Sequence, residues 1–131
     1  MSAQSLHAFQ DQVSELLLRH RSLLDILSKT GQSGAAVNRV VAKSVTECGC
    51  IELHARKQDY EPESGLEQAK ALLDNHVQGQ LCENCREAIT AELGRSLFYM
   101  SALCNLLDIR LEDVVEKESR KCSTLGLFNM S

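Results

Sequence analysis

Residues 83–107, ENCREAITAELGRSLFYMSALCNLL, carry Ile89, Leu93, Leu97, Met100, Cys104 and Leu107 mostly three or four positions apart. That is the spacing of one face of an α-helix. The same period recurs outward in both directions. Upstream, Val37, Val41, Ser44/Val45, Cys48, Ile51 and Ala55 share a stripe that predicts a helix from about Gly34 to Lys57. Before it, Leu6, Phe9, Val13, Leu16, Leu17, Leu24 and Leu27, with His20 filling one gap, predict a helix from Ser5 to about Ser28, and Gly31 and Gly34 punctuate the chain after it. Gln58 to Ser64, with Pro62 and the acids Asp59, Glu61 and Glu63, ends the second helix, and a short helix is expected from Leu66 to His76 before a loop at Gly79. Downstream, Asp108 to Arg110 reads as a connector. Leu111 to about Lys121 then forms a last helix, opened by Glu112 and Asp113 at the positive end of its dipole, and the tail from Cys122 to Ser131 reads as irregular. Strand alternation, internal repeats and low-complexity segments are missing. The expected architecture is all-α, a bundle of about four helices plus one short helix, forming a single domain over residues 1–131.

Composition narrows the function classes. Apolar residues make up 44% of the 131 and aromatics only 4%, with one proline and no tryptophan, which favours aliphatic helix packing over a β-sandwich. A chain of this length buries roughly two thirds of its unfolded surface, so a metal staple is an option and not a requirement. The net charge of -4 and the absence of any Lys/Arg run longer than a pair argue against nucleic acid as a partner. Residues 1–10 are polar, without the basic start and apolar run of a secretory signal, and no stretch reaches the roughly 18 apolar residues that span a bilayer. A cytoplasmic protein with no membrane partner is expected. There thiols stay reduced, so six cysteines point to metal ligation, reactivity or packing and not to disulfides.

Four of those cysteines form two clusters, Cys48-Gly49-Cys50 and Cys82-Glu83-Asn84-Cys85. The second sits at a helix start, where free N–H groups and the dipole stabilise thiolates and favour a soft metal such as zinc. Together the CxC and CxxC can complete a four-sulfur tetrahedral site. Residues two apart on a continuous helix are rotated by about 200°. Cys48 and Cys50 can therefore share one ion only where the helix breaks, and Gly49 is the residue that lets it. Three readings stand side by side: a zinc site, small core cysteines (Cys48, Cys85, Cys104), and a redox pair at Cys82 and Cys85. His54, about one turn beyond Cys50, is a candidate replacement ligand.

Carboxylates offer a second candidate site. Glu47 and Glu52 fall on the predicted second helix and Glu83, Glu87 and Glu92 on the long later one, and facing carboxylates from two helices are how bundles hold Mg²⁺. The run Ala91-Glu92-Leu93-Gly94-Arg95 to Leu103, followed by Leu106 to Lys117 with its turn at Asp108 and acidic Glu112-Asp113, resembles the C-terminal half of the MazG-like all-α nucleoside triphosphate pyrophosphohydrolases. The resemblance implies a MazG-like helical fold, a nucleotide ligand, Mg²⁺ held by Glu52 and Glu92, and a homodimer whose two bundles complete one core. Arg95 stands where the family's E-x-x-D motif has its aspartate, and Cys48 and Gly49 stand where acids of an E-E-x-x-E motif are expected. These departures imply reduced or lost hydrolase activity. The alternative is a non-catalytic helical protein with a structural or regulatory zinc site at Cys48, Cys50, Cys82 and Cys85.

Overall fold

The computed structural model describes residues 5–17, 22–58, 65 and 73–127. Among the described residues it is mostly helical, with α1 (Leu6–Leu16), α2 (Leu23–Lys43), α3 (Glu83–Leu106) and α4 (Leu111–Leu127). α2 continues into a wider π-helical turn, Ser44–Cys48. Between that turn and α3 lies a two-stranded antiparallel sheet, β1 (Ile51–Leu53) and β2 (Val77–Gly79). No helix among the described residues is long and apolar enough to cross a membrane.

α2 and α3 form the backbone of the fold as an antiparallel pair. Ile26 meets Ala102 in the core, Ser33 and Ala36 flank one cleft with Arg95 and Tyr99, and Lys43 and Ser44 stand beside Asn84 and Cys85. α1 lies across one side of this pair. Its Val13, with Leu17 just beyond its end, joins Ile26 and Ala102 in a small core, backed by Phe9, Phe98, Tyr99 and Leu103. Only Val13, Leu17, Ile26, Ala102 and Leu111 are fully buried apolar residues among those described. A core this thin contrasts with the self-sufficiency predicted from chain length.

One polar residue docks α1 onto the turn between α3 and α4. Gln10 is 1% exposed. Its Nε2 donates to the Ile109 carbonyl (2.7 Å), its Oε1 accepts from the Leu111 N–H (2.8 Å), and its own carbonyl accepts from Asn105 Nδ2 (3.1 Å). A side-chain amide offers both a donor and an acceptor, so one buried residue satisfies two backbone groups that a connector leaves free. The connector at Asp108 to Arg110 is where the sequence places it. Asp108 takes a left-handed φ of 54°, and Ile109 N–H bonds back to the Cys104 carbonyl (2.9 Å), closing α3 with a Schellman motif.

Several sequence expectations need correction. The helix expected over Ser5–Ser28 is two elements, because Ile26 packs on Val13 and Leu17. On one straight helix Ile26 would stand about 20 Å from Val13. Gly31 and Gly34 do not interrupt the chain but lie inside α2, whose contact with α3 outweighs a propensity cost of about 1 kcal/mol each. The second helix stops at Cys48 and not Lys57, since Gly49 turns left-handed at φ 77°. Glu52 and Leu53 are therefore strand residues. Of the short helix expected over Leu66–His76, residues 66–72 lie outside the described residues, and 73–76 are not helical. Pro62 and its acidic neighbours also lie outside them. The last helix runs on through Cys122 to Leu127.

Candidate metal centre

The break at Gly49 and the start of α3 bring the two cysteine clusters together. The π turn donates Gly49 N–H to the Ser44 carbonyl (2.9 Å), and the left-handed Gly49 then swings Cys50 to the same side as Cys48. Cys82 is the N-cap of α3, extended at φ -69° and ψ 164°, with Cys85 one turn on. The sheet sets the meeting point. β1 and β2 pair Ile51 with Gly79 and Leu53 with Val77, so the strand that leaves the Cys48–Cys50 turn runs beside the one that leads to Cys82. Gly79 permits the closeness: at φ 89°, a Cβ there would lie 2.6 Å from the Cys50 carbonyl oxygen.

The outcome is a four-sulfur cluster. The Sγ atoms of Cys48, Cys50, Cys82 and Cys85 all lie within 4.8 Å of one another. Cys48 and Cys82 are 3.8 Å apart, far beyond a disulfide bond of about 2.05 Å. In a tetrahedron of thiolates about 2.3 Å from zinc, the edge is about 3.8 Å. The donor set and spacing thus fit a soft tetrahedral ion. Among the described residues this is the one grouping of three or more ligating side chains within reach of a single ion.

Hydrogen bonds differentiate the thiols. The Cys85 backbone N–H donates to Cys82 Sγ (3.4 Å), and with the Cys85 thiol donating to the same sulfur this holds the Cys82 pKa at about 7. Cys85, whose proton is shared with Cys82, is pushed up to about 12. Cys82 is thus the thiol that most readily offers a thiolate, and a soft cation bound here would displace the protons of the others to solvent. The N–H bond to Cys82 also has the form of an outer-shell contact that orients a ligand. Lys43 lines the same shallow cleft as Cys48 and Cys85, where its ammonium would oppose the surplus negative charge of four thiolates around a divalent ion.

The other candidates lie apart. Glu52 is exposed on β1 with a carboxylate oxygen 3.2 Å from His54 Nε2, so His54 faces an acid and is not a fifth member of the cluster. Glu92 lies midway along α3, and neither carboxylate joins a grouping of three or more ligating side chains among the described residues. Cys104 is half-buried on α3, where desolvation raises its pKa, and Cys122 is exposed on α4. Sequence reasoning set Ser44 on the helix stripe and Gly79 in a loop, and gave neither a role at the site. Ser44 is buried and its carbonyl holds the turn, while Gly79 carried a readable signal, being a glycine three residues before the first cysteine of the CxxC. No family model, no characterised protein and no solved structure matches the chain.

Proposed function

We propose that this protein is a non-catalytic helical module stapled by one zinc ion, held by Cys48, Cys50, Cys82 and Cys85. The observation that carries the reading is the convergence of all four sulfurs to within 4.8 Å. A zinc with four protein thiolates has no position left for water or substrate, which is the pattern of structural and not catalytic zinc. Its effect follows from where the ligands sit. The ion ties the end of α2 to the start of α3 and closes the intervening segment, which removes chain entropy that a thin core cannot recover alone.

Elemental analysis of protein purified without chelator or added zinc tests this directly. About one zinc per chain is expected, with the four thiols shielded from alkylation until a chelator is added. Clearly substoichiometric zinc together with thiols that react freely under native conditions would remove the proposal.

A second reading, a divergent MazG-like pyrophosphohydrolase, keeps one specific support beyond the resemblance of residues 91–117. Glu92 Oε2 is buried without a hydrogen-bond partner, as a carboxylate that meets a cation would be. Arg95, one turn along the same helix, weighs against Mg²⁺ there. An assay for pyrophosphate release across a nucleoside triphosphate panel with Mg²⁺ or Mn²⁺ separates the two. The zinc module gives no turnover, whereas turnover abolished by Glu92→Gln would favour the hydrolase.

A further inference from the structure

The four clustered cysteines are not placed alike toward solvent. Cys48 is exposed, whereas Cys50, Cys82 and Cys85 are half-buried. Cys48 is the last residue of the π-helical turn, directly before the left-handed Gly49, and it lines a shallow cleft with Lys43, Asn84 and Ala88. Its sulfur lies 3.8 Å from that of Cys82, which the other half of the site supplies. Cys50 Sγ is turned toward the Ser44 carbonyl oxygen, 3.9 Å away.

A sulfur becomes a target for oxidation when it is a thiolate, is reachable from solvent and has a second sulfur beside it to complete a disulfide. A bound zinc meets the first condition for every ligand, because a metal-bound cysteine has already lost its proton. Exposure then selects Cys48, and the 3.8 Å contact supplies Cys82 as its partner. The remaining two cysteines do not qualify. Cys104 is half-buried, and Cys122, though exposed, lies outside the cluster.

We infer, on the zinc reading proposed above, that the site responds to oxidants: a peroxide joins Cys48 to Cys82 through a disulfide and the metal is expelled. The chemistry balances in two steps. Cys48 Sγ attacks one oxygen of hydrogen peroxide, the O–O bond breaks and hydroxide leaves, so that the sulfur carries the other OH as a sulfenic acid. Cys82 Sγ then attacks the Cys48 sulfur. The S–S bond forms as the S–O bond breaks, and a second hydroxide leaves. Each sulfur has given up one electron, the peroxide has gained both, and two protons from solvent turn the hydroxides into water. Zinc keeps only Cys50 and Cys85, half the ligands of a closed structural site, and departs as Zn²⁺ while those two thiolates take up a proton each.

Shortening the 3.8 Å contact to a bond of about 2.05 Å requires a movement of under about 2 Å. It falls between the end of the π turn and the N-cap of α3, two places where the chain leaves a helix. The new bond ties the same two elements that zinc ties. Oxidation and chelation therefore differ in outcome, since both remove the metal and only chelation removes the tie.

Hydrogen peroxide added to the full-length protein, after its zinc content has been measured, tests the inference. About one zinc per chain should pass to a chromophoric chelator, and peptide mapping without reductant should find Cys48 joined to Cys82. A dithiol reductant with added zinc should restore the starting state, and the melting temperature should fall less than it does on chelation. Cys48→Ser should slow zinc release by peroxide roughly tenfold, while Cys122→Ser should respond as the parent protein does. Mapping in the parent protein decides the matter even where Cys48→Ser fails to fold. A chain that holds no zinc before peroxide is added overturns the zinc reading and this inference with it. Zinc that is present and stays bound, or that leaves with any pairing other than Cys48 to Cys82, or with cysteine sulfinates in place of a disulfide, overturns this inference alone.

Discussion

The two ends of the α2–α3 pair present different chemistry. At one end Ile26, Ala102, Val13 and Leu17 exclude water, and Gln10 satisfies the backbone of the neighbouring turn. At the other, the sulfurs of exposed Cys48 and half-buried Cys50, Cys82 and Cys85 converge, and none of the fully buried apolar residues among those described lies there. Packing is diffuse, and each side chain contributes a share. A metal cluster is concentrated, so losing one ligand forfeits most of it. On the proposed zinc reading, the pair teaches that a short core can serve a helix hairpin when the opposite end is joined by coordination.

That contrast makes the largest expected effect the removal of the metal. Cys85→Ser, or chelation of the parent protein, should cost on the order of 5 kcal/mol or more, given the 10–16 kcal/mol typical of structural zinc. Calorimetry should show the melting temperature falling by roughly 10 °C or more, and hydrogen exchange should show protection lost first at residues 49–53 and 77–82. Equal loss of protection at both ends would break the comparison. Next in size is Ile26→Ala, which should cost about 3 kcal/mol in chemical denaturation by opening a cavity in the packed end. Zinc content should stay at one per chain, because the cluster lies at the opposite end of α2.

A smaller effect comes from protons. Cys82 keeps its thiolate down to about pH 7, whereas Cys85 is pushed up to about 12 and would release its proton to solvent only as a metal replaces it. Zinc uptake therefore releases protons, and affinity falls as pH falls, by at least roughly tenfold per unit and more steeply below pH 7 as Cys82 protonates. Competition with a chromophoric chelator at several pH values measures that slope, and a flat profile would show that thiolates are not the ligands. The smallest change is Gly49→Ala. The space at Gly49 is open, so only its φ of 77° matters, and a Cβ there costs about 1–2 kcal/mol. Zinc affinity should drop roughly five- to thirtyfold with the helical content kept, which isolates the turn's contribution from that of the sulfurs.

Much of the cysteine end was legible in the sequence, because it depends on local features. Two cysteine pairs, a glycine between the first two and a helix start under the second are visible without tertiary knowledge. The packed end was less legible. Leu24 and Leu27 continue the spacing of Leu6 to Leu17, so the period gives no sign that Ile26 packs back onto Val13 and Leu17. The strands are three residues each, too short to show alternation, and their register rests on Gly79 and on the His54 N–H bonded to the His76 carbonyl (2.7 Å). Periodicity also marks a stripe without saying what it faces. On α3 the regular leucines point outward, while the buried positions are Ser101 and Ala102, small residues that let the neighbouring helices approach.

The central claim is that four sulfurs and no other atoms hold one ion between α2 and α3. X-ray absorption at the zinc edge on the metal-loaded protein measures this directly. The account predicts a single shell of about four sulfurs at about 2.3 Å, reduced in Cys85→Ser. A shell that requires nitrogen or oxygen ligands in the parent protein, or a chain that takes up no zinc at all, would contradict it.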